Sequence, residues 1–202
     1  MSGERFRKTP HSLGNRLLRS VWSVVYLFLF RPSPRPCHLW RRFLLRCFGA
    51  KLGKGVRVYP SARIWAPWNL RLDDRCAIGP EVDCYSVGKI TIGKFATISQ
   101  RSVLCTASHD YRFLGLPLVV KDINIGAFAW LCADVFVMPG VTVGEGTVVG
   151  VRSTVFRDLP PWKIAFGTPC RVIRAREILS SAPPEYSRIE PLSCRTELSS
   201  KT

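Results

Sequence analysis

An aliphatic residue returns every six positions through the middle of this chain, a period that neither the turn of an α-helix nor the alternation of a flat strand produces. The clearest stretch is Ile125, Leu131, Val137, Val143, Val149 and Val155, with Ala129, Val135, Val141, Thr147 and Ser153 at the smaller position four places on. Upstream the same step runs through Leu52, Val58, Ile64 and Leu70, shifts at Leu72, Cys76 and Ile78, and resumes at Ile92, Ile98 and Leu104 with Ala96, Ser102 and Ser108. Such a chain folds as short strands that turn a corner after each hexapeptide. The aliphatic side chains fill a narrow prism, and glycine or small residues ease its corners. The predicted fold class is all-β, a parallel β-helix of hexapeptide repeats with a short helical N-terminal arm and a C-terminal extension.

The chain's 202 residues, 47% of them hydrophobic, allow one domain with a real core and no second large one. Its formal net charge of +16 is unevenly placed. Residues 1–57 hold 13 Lys and Arg against the single acid Glu4, while the other 145 residues hold 17 basic and 13 acidic side chains. An excess of that kind points to an anionic partner for the N-terminal segment. The same segment carries an apolar run, Val21 to Phe30, between Arg16 and Arg19 on one side and Arg31 and Arg35 on the other. The run is too short to span a bilayer, which takes ~20 apolar residues in a helix. No small-x-small cleavage pattern follows it, and Arg31-Pro32-Ser33-Pro34-Arg35-Pro36 ends it, so export is not expected. Two readings stay open: a helix packed on the main domain, or a helix lying in the membrane interface. A second basic and apolar stretch, His38 to Phe48 with Leu44 and Leu45, adds weight to peripheral membrane contact through residues 1–50. Basic charge alone binds phosphate non-specifically, and no nucleic-acid module accompanies it; nucleic acid is not an expected partner.

Eight cysteines show neither paired spacing nor a CxxC, so they read as reduced core or loop residues of a cytoplasmic protein, without structural zinc. The hexapeptide step breaks once, between Leu104 and Ile123, and the projecting loop at 109–122 opens on His109. Interruptions of a regular solenoid are where function tends to be placed. His11 and His38 lie in the arm, which leaves His109 as the one histidine of the scaffold. An imidazole begins near neutral pKa and can take a proton from an attacking hydroxyl. The other reading of a loop histidine is that it does no more than bond a backbone carbonyl.

The strings Ile92-Gly93, Val143-Gly144-Glu145-Gly146 and Val149-Gly150 resemble the hexapeptide-repeat transferases. Phe30-Arg31-Pro32 with Pro34, Tyr59 to Leu70, Asp83-Cys84-Tyr85 and Ser108-His109-Asp110-Tyr111 resemble their colanic-acid-biosynthesis acetyltransferase subgroup, over residues 13–176. The resemblance implies a left-handed parallel β-helix, a homotrimer with sites between subunits, and acetyl-CoA as co-substrate with no metal. It implies O-acetylation of a sugar hydroxyl in exopolysaccharide or lipid-linked oligosaccharide biosynthesis, with His109 as general base. Asp83, Ser86 and Asp110 become candidate acceptor contacts, Ser86 standing where the subgroup usually has Asn; Glu81 is a further possible orienter. Asp110 is expected to serve the loop or the acceptor, since neighbouring side chains of an extended stretch point apart.

On the donor side the resemblance implies contacts from Trp130, from backbone groups near Ala133 and Val151, and from Arg157, Arg171 and Arg174. The arginines suit phosphate because a guanidinium donates two parallel hydrogen bonds. Cys132 and Ala133 stand where the family has glycines. Trp162 and Phe166 could join Trp130 in stacking on adenine, although packing of the terminal coil accounts for both. The expected organisation is an arm at 1–50, a β-helix at 51–160, a CoA-side segment at 161–176 and a disordered tail at 177–202. Other readings are an acetyltransferase for a small soluble acceptor (a free sugar, an amino sugar or serine) and a non-catalytic scaffold. A zinc hydratase of the γ-carbonic-anhydrase kind would need three histidines from neighbouring coils, and the scaffold has one.

Overall fold

The computed structural model describes residues 12–178; residues 1–11, and the expected tail from residue 179 on, lie outside the described residues. Three hexapeptides close each coil. The first coil is β1 (Lys51–Leu52), β2 (Arg57–Val58) and β3 (Arg63–Ile64). The second is β4 (Leu70–Leu72), β5 (Ala77–Ile78) and β6 (Asp83–Tyr85), and the third β7 (Ile90–Ile92), β8 (Thr97–Ile98) and β9 (Val103–Cys105). A hairpin of β10 (Ala107–His109) and β11 (Leu118–Val120) then leaves the prism. The fourth coil is β12 (Ile123–Ile125), β13 (Trp130–Leu131) and β14 (Phe136–Val137), and the fifth β15 (Thr142–Val143), β16 (Val148–Val149) and β17 (Thr154–Val155). Last come β18 (Lys163–Phe166) and β19 (Arg171–Ala175).

Like strands stack in parallel on three faces, which makes the β-solenoid that the repeat predicts. The first face is β1-β4-β7-β12-β15, the second β2-β5-β8-β13-β16, and the third β3-β6-β9-β14-β17. β18 extends the second face in parallel, and β19 folds back on it antiparallel. The six aliphatic residues from Ile125 to Val155 and the five smaller residues between them are all buried. The polar ones are satisfied: Thr147 Oγ1 donates to Pro160 O at 2.6 Å and Ser153 Oγ accepts from Gly167 N at 3.0 Å.

Register locates the irregularities. Leu52 pairs with Leu72 and Leu72 with Ile92, twenty residues apart each; Ile92 pairs with Ile125, thirty-three apart, and Ile125 with Val143, eighteen apart. Every surplus residue falls at the corner where the third face returns to the first. Two expectations change with this. Leu72, not Leu70, is the residue in phase with Ile64, because the Trp65–Asn69 corner is two residues longer than a hexapeptide corner. Ser108 is exposed on the hairpin; the buried small residue at its corner is Thr106, whose Oγ1 donates to Tyr85 O at 2.7 Å.

The other two corners keep strict phase. Arg75, Phe95, Phe128 and Trp162 take positive φ between the first and second faces, in line with Gly55 and Gly146. Glu81, Arg101, Asp134 and Arg152 do so between the second and third. A left-handed conformation strains a side-chain-bearing residue, so it persists here only because the stacked coils dictate it. A β-carbon on Gly146 would overlap the Trp162 ring, and one on Gly150 the Phe166 ring; both aromatics thus pack as lids on the fifth coil.

The arm is α1 (Leu13–Val25), a π turn at Tyr26–Phe30 closed by Arg31 N to Tyr26 O, and α2 (His38–Cys47). Trp22 and Phe30 enter the core, and Trp22 Nε1 donates to Ile64 O at 2.7 Å. Arg41, fully buried, donates to Val58 O (2.6 Å), Ser33 Oγ (2.8 Å), Pro34 O (2.8 Å) and Arg35 O (2.5 Å). It thereby ties the 31–37 connection to the first coil. The arm is therefore packed on the solenoid along one side. The seven described cysteines form no disulfide, and burial pushes the Cys76 thiol up to about 12 and Cys84 higher still.

Candidate active site

His109 is the last residue of β10 and sits opposite Leu118 of β11. It is exposed, and its Nδ1 lies 2.6 Å from Leu116 O. A carbonyl can only accept, so Nδ1 carries the proton, and in the neutral ring Nε2 is left with a free lone pair. Leu116 itself has φ +44°, a left-handed conformation that a leucine adopts only under constraint. The constraint comes from the hairpin: Asp110 N donates to Pro117 O at 3.0 Å and Leu116 N to Phe113 O at 2.9 Å.

Asp110 serves the loop. Its carboxylate accepts from Arg112 N at 3.1 Å and from the Arg112 guanidinium at 2.9 and 2.6 Å, and that cation holds the carboxyl below its ordinary range. The expectation for Ser86 is corrected. It is fully buried, with Oγ accepting from Ala66 N at 3.0 Å and donating to Ala66 O at 3.1 Å, so it holds a corner and faces no acceptor.

Asp83 alternates with buried Cys84 on β6 and points outward into a cleft of about 390 Å³ between α1 and the third face. Trp22, Tyr26, Arg63, Trp65 and Tyr85 line the same cleft. The rings of Trp65 and Tyr85 are 5.0 Å apart, and the Arg19 guanidinium lies 4.7 Å from the Trp65 centroid. Burial raises the Asp83 carboxyl above its ordinary range, and Arg63, its partner in register, offsets part of that. Trp65, Tyr85 and Tyr26 line this cleft and were not among the expected contacts. Tyr85 and Asp83 flank a buried residue at period two, which is the signal that would have found Tyr85. Glu81 is exposed at the corner between the second and third faces, in the left-handed region.

The residues expected on the donor side fall elsewhere. Trp130 is exposed on the second face, its Nε1 donating to Ser99 Oγ at 2.9 Å. Ala133 and Val151 hold the same place on successive coils, at the corner leading to the third face, where Arg152 N donates to Ala133 O at 2.9 Å. Arg171 and Arg174 are exposed on β19 at the end of the second face, and Arg157 is exposed just beyond β17. Within one chain the third face thus separates His109 from Ala133 and Val151. Arg176 was not foreseen: its guanidinium donates to Phe128 O (3.1 Å) and Gly146 O (2.7 Å), fastening the C-terminal segment across the stacked corner. Among the described residues no group of three or more His, Cys, Asp or Glu side chains is placed to hold a metal ion, and no helix is long and apolar enough to cross a membrane.

No protein-family model matches the chain. It is 47% identical over 163 residues to the "Putative colanic acid biosynthesis acetyltransferase WcaF" of Escherichia coli, covering 81% of this chain and 90% of that protein. Among solved structures it is similar to a hexapeptide-repeat acetyltransferase of Vibrio cholerae complexed with acetyl coenzyme A. That match has TM-score 0.75 and 28% identity, over 85% of this chain and 94% of the other. A maltose O-acetyltransferase of Clostridium difficile matches with TM-score 0.69 and 25% identity, over 83% and 92%.

Proposed function

This chain belongs to the hexapeptide-repeat acetyltransferases of the colanic acid biosynthesis type, and from that membership we propose that it acetylates a sugar hydroxyl with His109 as general base. The observation that carries the reading is the 2.6 Å bond from His109 Nδ1 to Leu116 O, which fixes the tautomer that a base needs. Nε2 takes the proton from the acceptor hydroxyl as its oxygen attacks the thioester carbonyl of acetyl-CoA. The tetrahedral intermediate then collapses, the C–S bond breaks, and the imidazolium returns the proton to the departing CoA thiolate.

The acceptor lies in the cleft on the third face, where Trp65 and Tyr85 offer apolar ring faces to a pyranose and Asp83 and Arg63 offer partners for its hydroxyls. It belongs to an exopolysaccharide or a lipid-linked oligosaccharide assembled in the cytoplasm. Trp130, the backbone near Ala133 and Val151, and the cations Arg157, Arg171 and Arg174 hold acetyl-CoA. Since His109 and the Ala133–Val151 corner lie on opposite sides of the third face, a site that uses both draws them from two copies, which favours the homotrimer.

The test is CoA release from acetyl-CoA by the wild type and His109→Ala, with glycans, lipid-linked oligosaccharides, free sugars, amino sugars and serine as acceptors. Glycan-dependent release should fall by at least ~10²-fold in a folded His109→Ala protein. An unchanged rate would remove His109 from the mechanism, and release with small acceptors alone would move the substrate class to them.

A further inference from the structure

The arm turns one face to the solenoid and an apolar face away from it. On α1 and the π turn, Trp22, Tyr26 and Phe30 look inward, while Leu13, Leu17, Val21, Val24 and Phe28 form an exposed stripe at helical spacing. On α2, Leu39, Trp40 and Phe43 are also exposed. The two sets are joined: Trp40 Nε1 donates to Leu29 O at 2.9 Å, and the Trp40 and Phe43 rings stack 5.7 Å apart. Single exposed leucines are ordinary, but a contiguous surface in which Leu17 is 68%, Phe28 67% and Leu39 73% exposed marks a docking site.

Charge identifies the occupant. No Asp or Glu occurs from residue 5 to residue 72, and Arg16, Arg31, Arg35 and Arg46 are exposed around the apolar stripe. A second copy of this chain would bring one positive rim against another, which opposes self-pairing through this face. A surface that is apolar below and anionic at its boundary satisfies both features, and α1, at 13 residues, can lie in such a boundary but not cross it.

We propose that this face docks the protein on an anionic lipid bilayer, with α1 and α2 in the interfacial plane. Docking rests on the arm alone and does not depend on the acetyl-transfer reading. It does place the aromatic cleft beside the headgroups, because Trp22, Ser23 and Tyr26 of the docked helix and its π turn form one wall of that cleft.

Flotation of the full-length chain with phosphatidylcholine vesicles, with and without phosphatidylglycerol, tests the proposal. Binding should require the anionic lipid, weaken with added salt, and weaken at least ~10-fold in Val24→Asp/Phe28→Asp, with the unfolding transition and the solution mass unchanged. Should the aspartates disturb folding, Leu17→Ser/Val24→Ser reads the same contact with a smaller perturbation. Absence of wild-type binding to anionic vesicles, or equal binding by the variants, overturns the proposal. A change of solution mass in the variants overturns it too, and assigns the face to a second copy.

Discussion

Asp83 stands between two environments that pull its proton in opposite directions: burial in the cleft raises its carboxyl, and Arg63 lowers it, with burial the larger effect. The folded protein therefore keeps this proton to higher pH than the unfolded chain does. The stability linked to it is present below the ordinary carboxylate range and is lost as pH rises through the raised value. Asp83→Asn should accordingly resist urea better than wild type near neutral pH, and the two midpoints should converge below about pH 4. At this scale the place of His109 was legible, because it is the one scaffold histidine and opens the break in the repeat. Its partner was not. Leu116 acts through a carbonyl oxygen, which every residue has, and only the left-handed turn of the hairpin aims it. Ser86 misled because an oxygen that closes a corner and one that meets a substrate look alike in one dimension.

The hairpin that carries His109 is separable from the solenoid. Its tip, from Tyr111 to Leu116, is exposed, while Ile123 and Leu104 on either side are core residues already joined to neighbouring coils. Replacing residues 110–117 with a two-residue turn should leave the thermal transition within a few degrees of wild type and cost at least ~10² in acetyl transfer, as the Leu116 carbonyl goes with it. The glycines under the C-terminal lid behave in the opposite way. Gly146→Ala meets the Trp162 ring at a position with φ +65°, and should destabilise the folded protein by about 1–3 kcal/mol in denaturant melts. Helical elements were harder to foresee than strands. The Val21–Phe30 run is apolar almost throughout, so composition left packed and membrane-facing roles undivided. Only the spacing of Trp22, Tyr26 and Phe30 shows that the run has one face on the solenoid and another turned away from it.

For the whole molecule, the six-residue period sufficed to predict the prism, because each aliphatic residue answers to one interior position and the interior is continuous. What the period could not predict is whether copies assemble, since that depends on which outward residues meet. Sedimentation should return a mass three times that of the 22.8 kDa chain, and a monomer with full activity would sink the shared-site reading. The surplus residues, all gathered at one corner, have a further consequence. Two corners of the prism work like a reading frame: an added residue there would throw every later side chain out of step, just as a single inserted base scrambles a message. The corner that carries Trp65–Asn69 and the His109 hairpin lies outside that frame, as a margin in which text can lengthen or shorten. Length and sequence can therefore vary at that margin while the lines beneath it stay aligned.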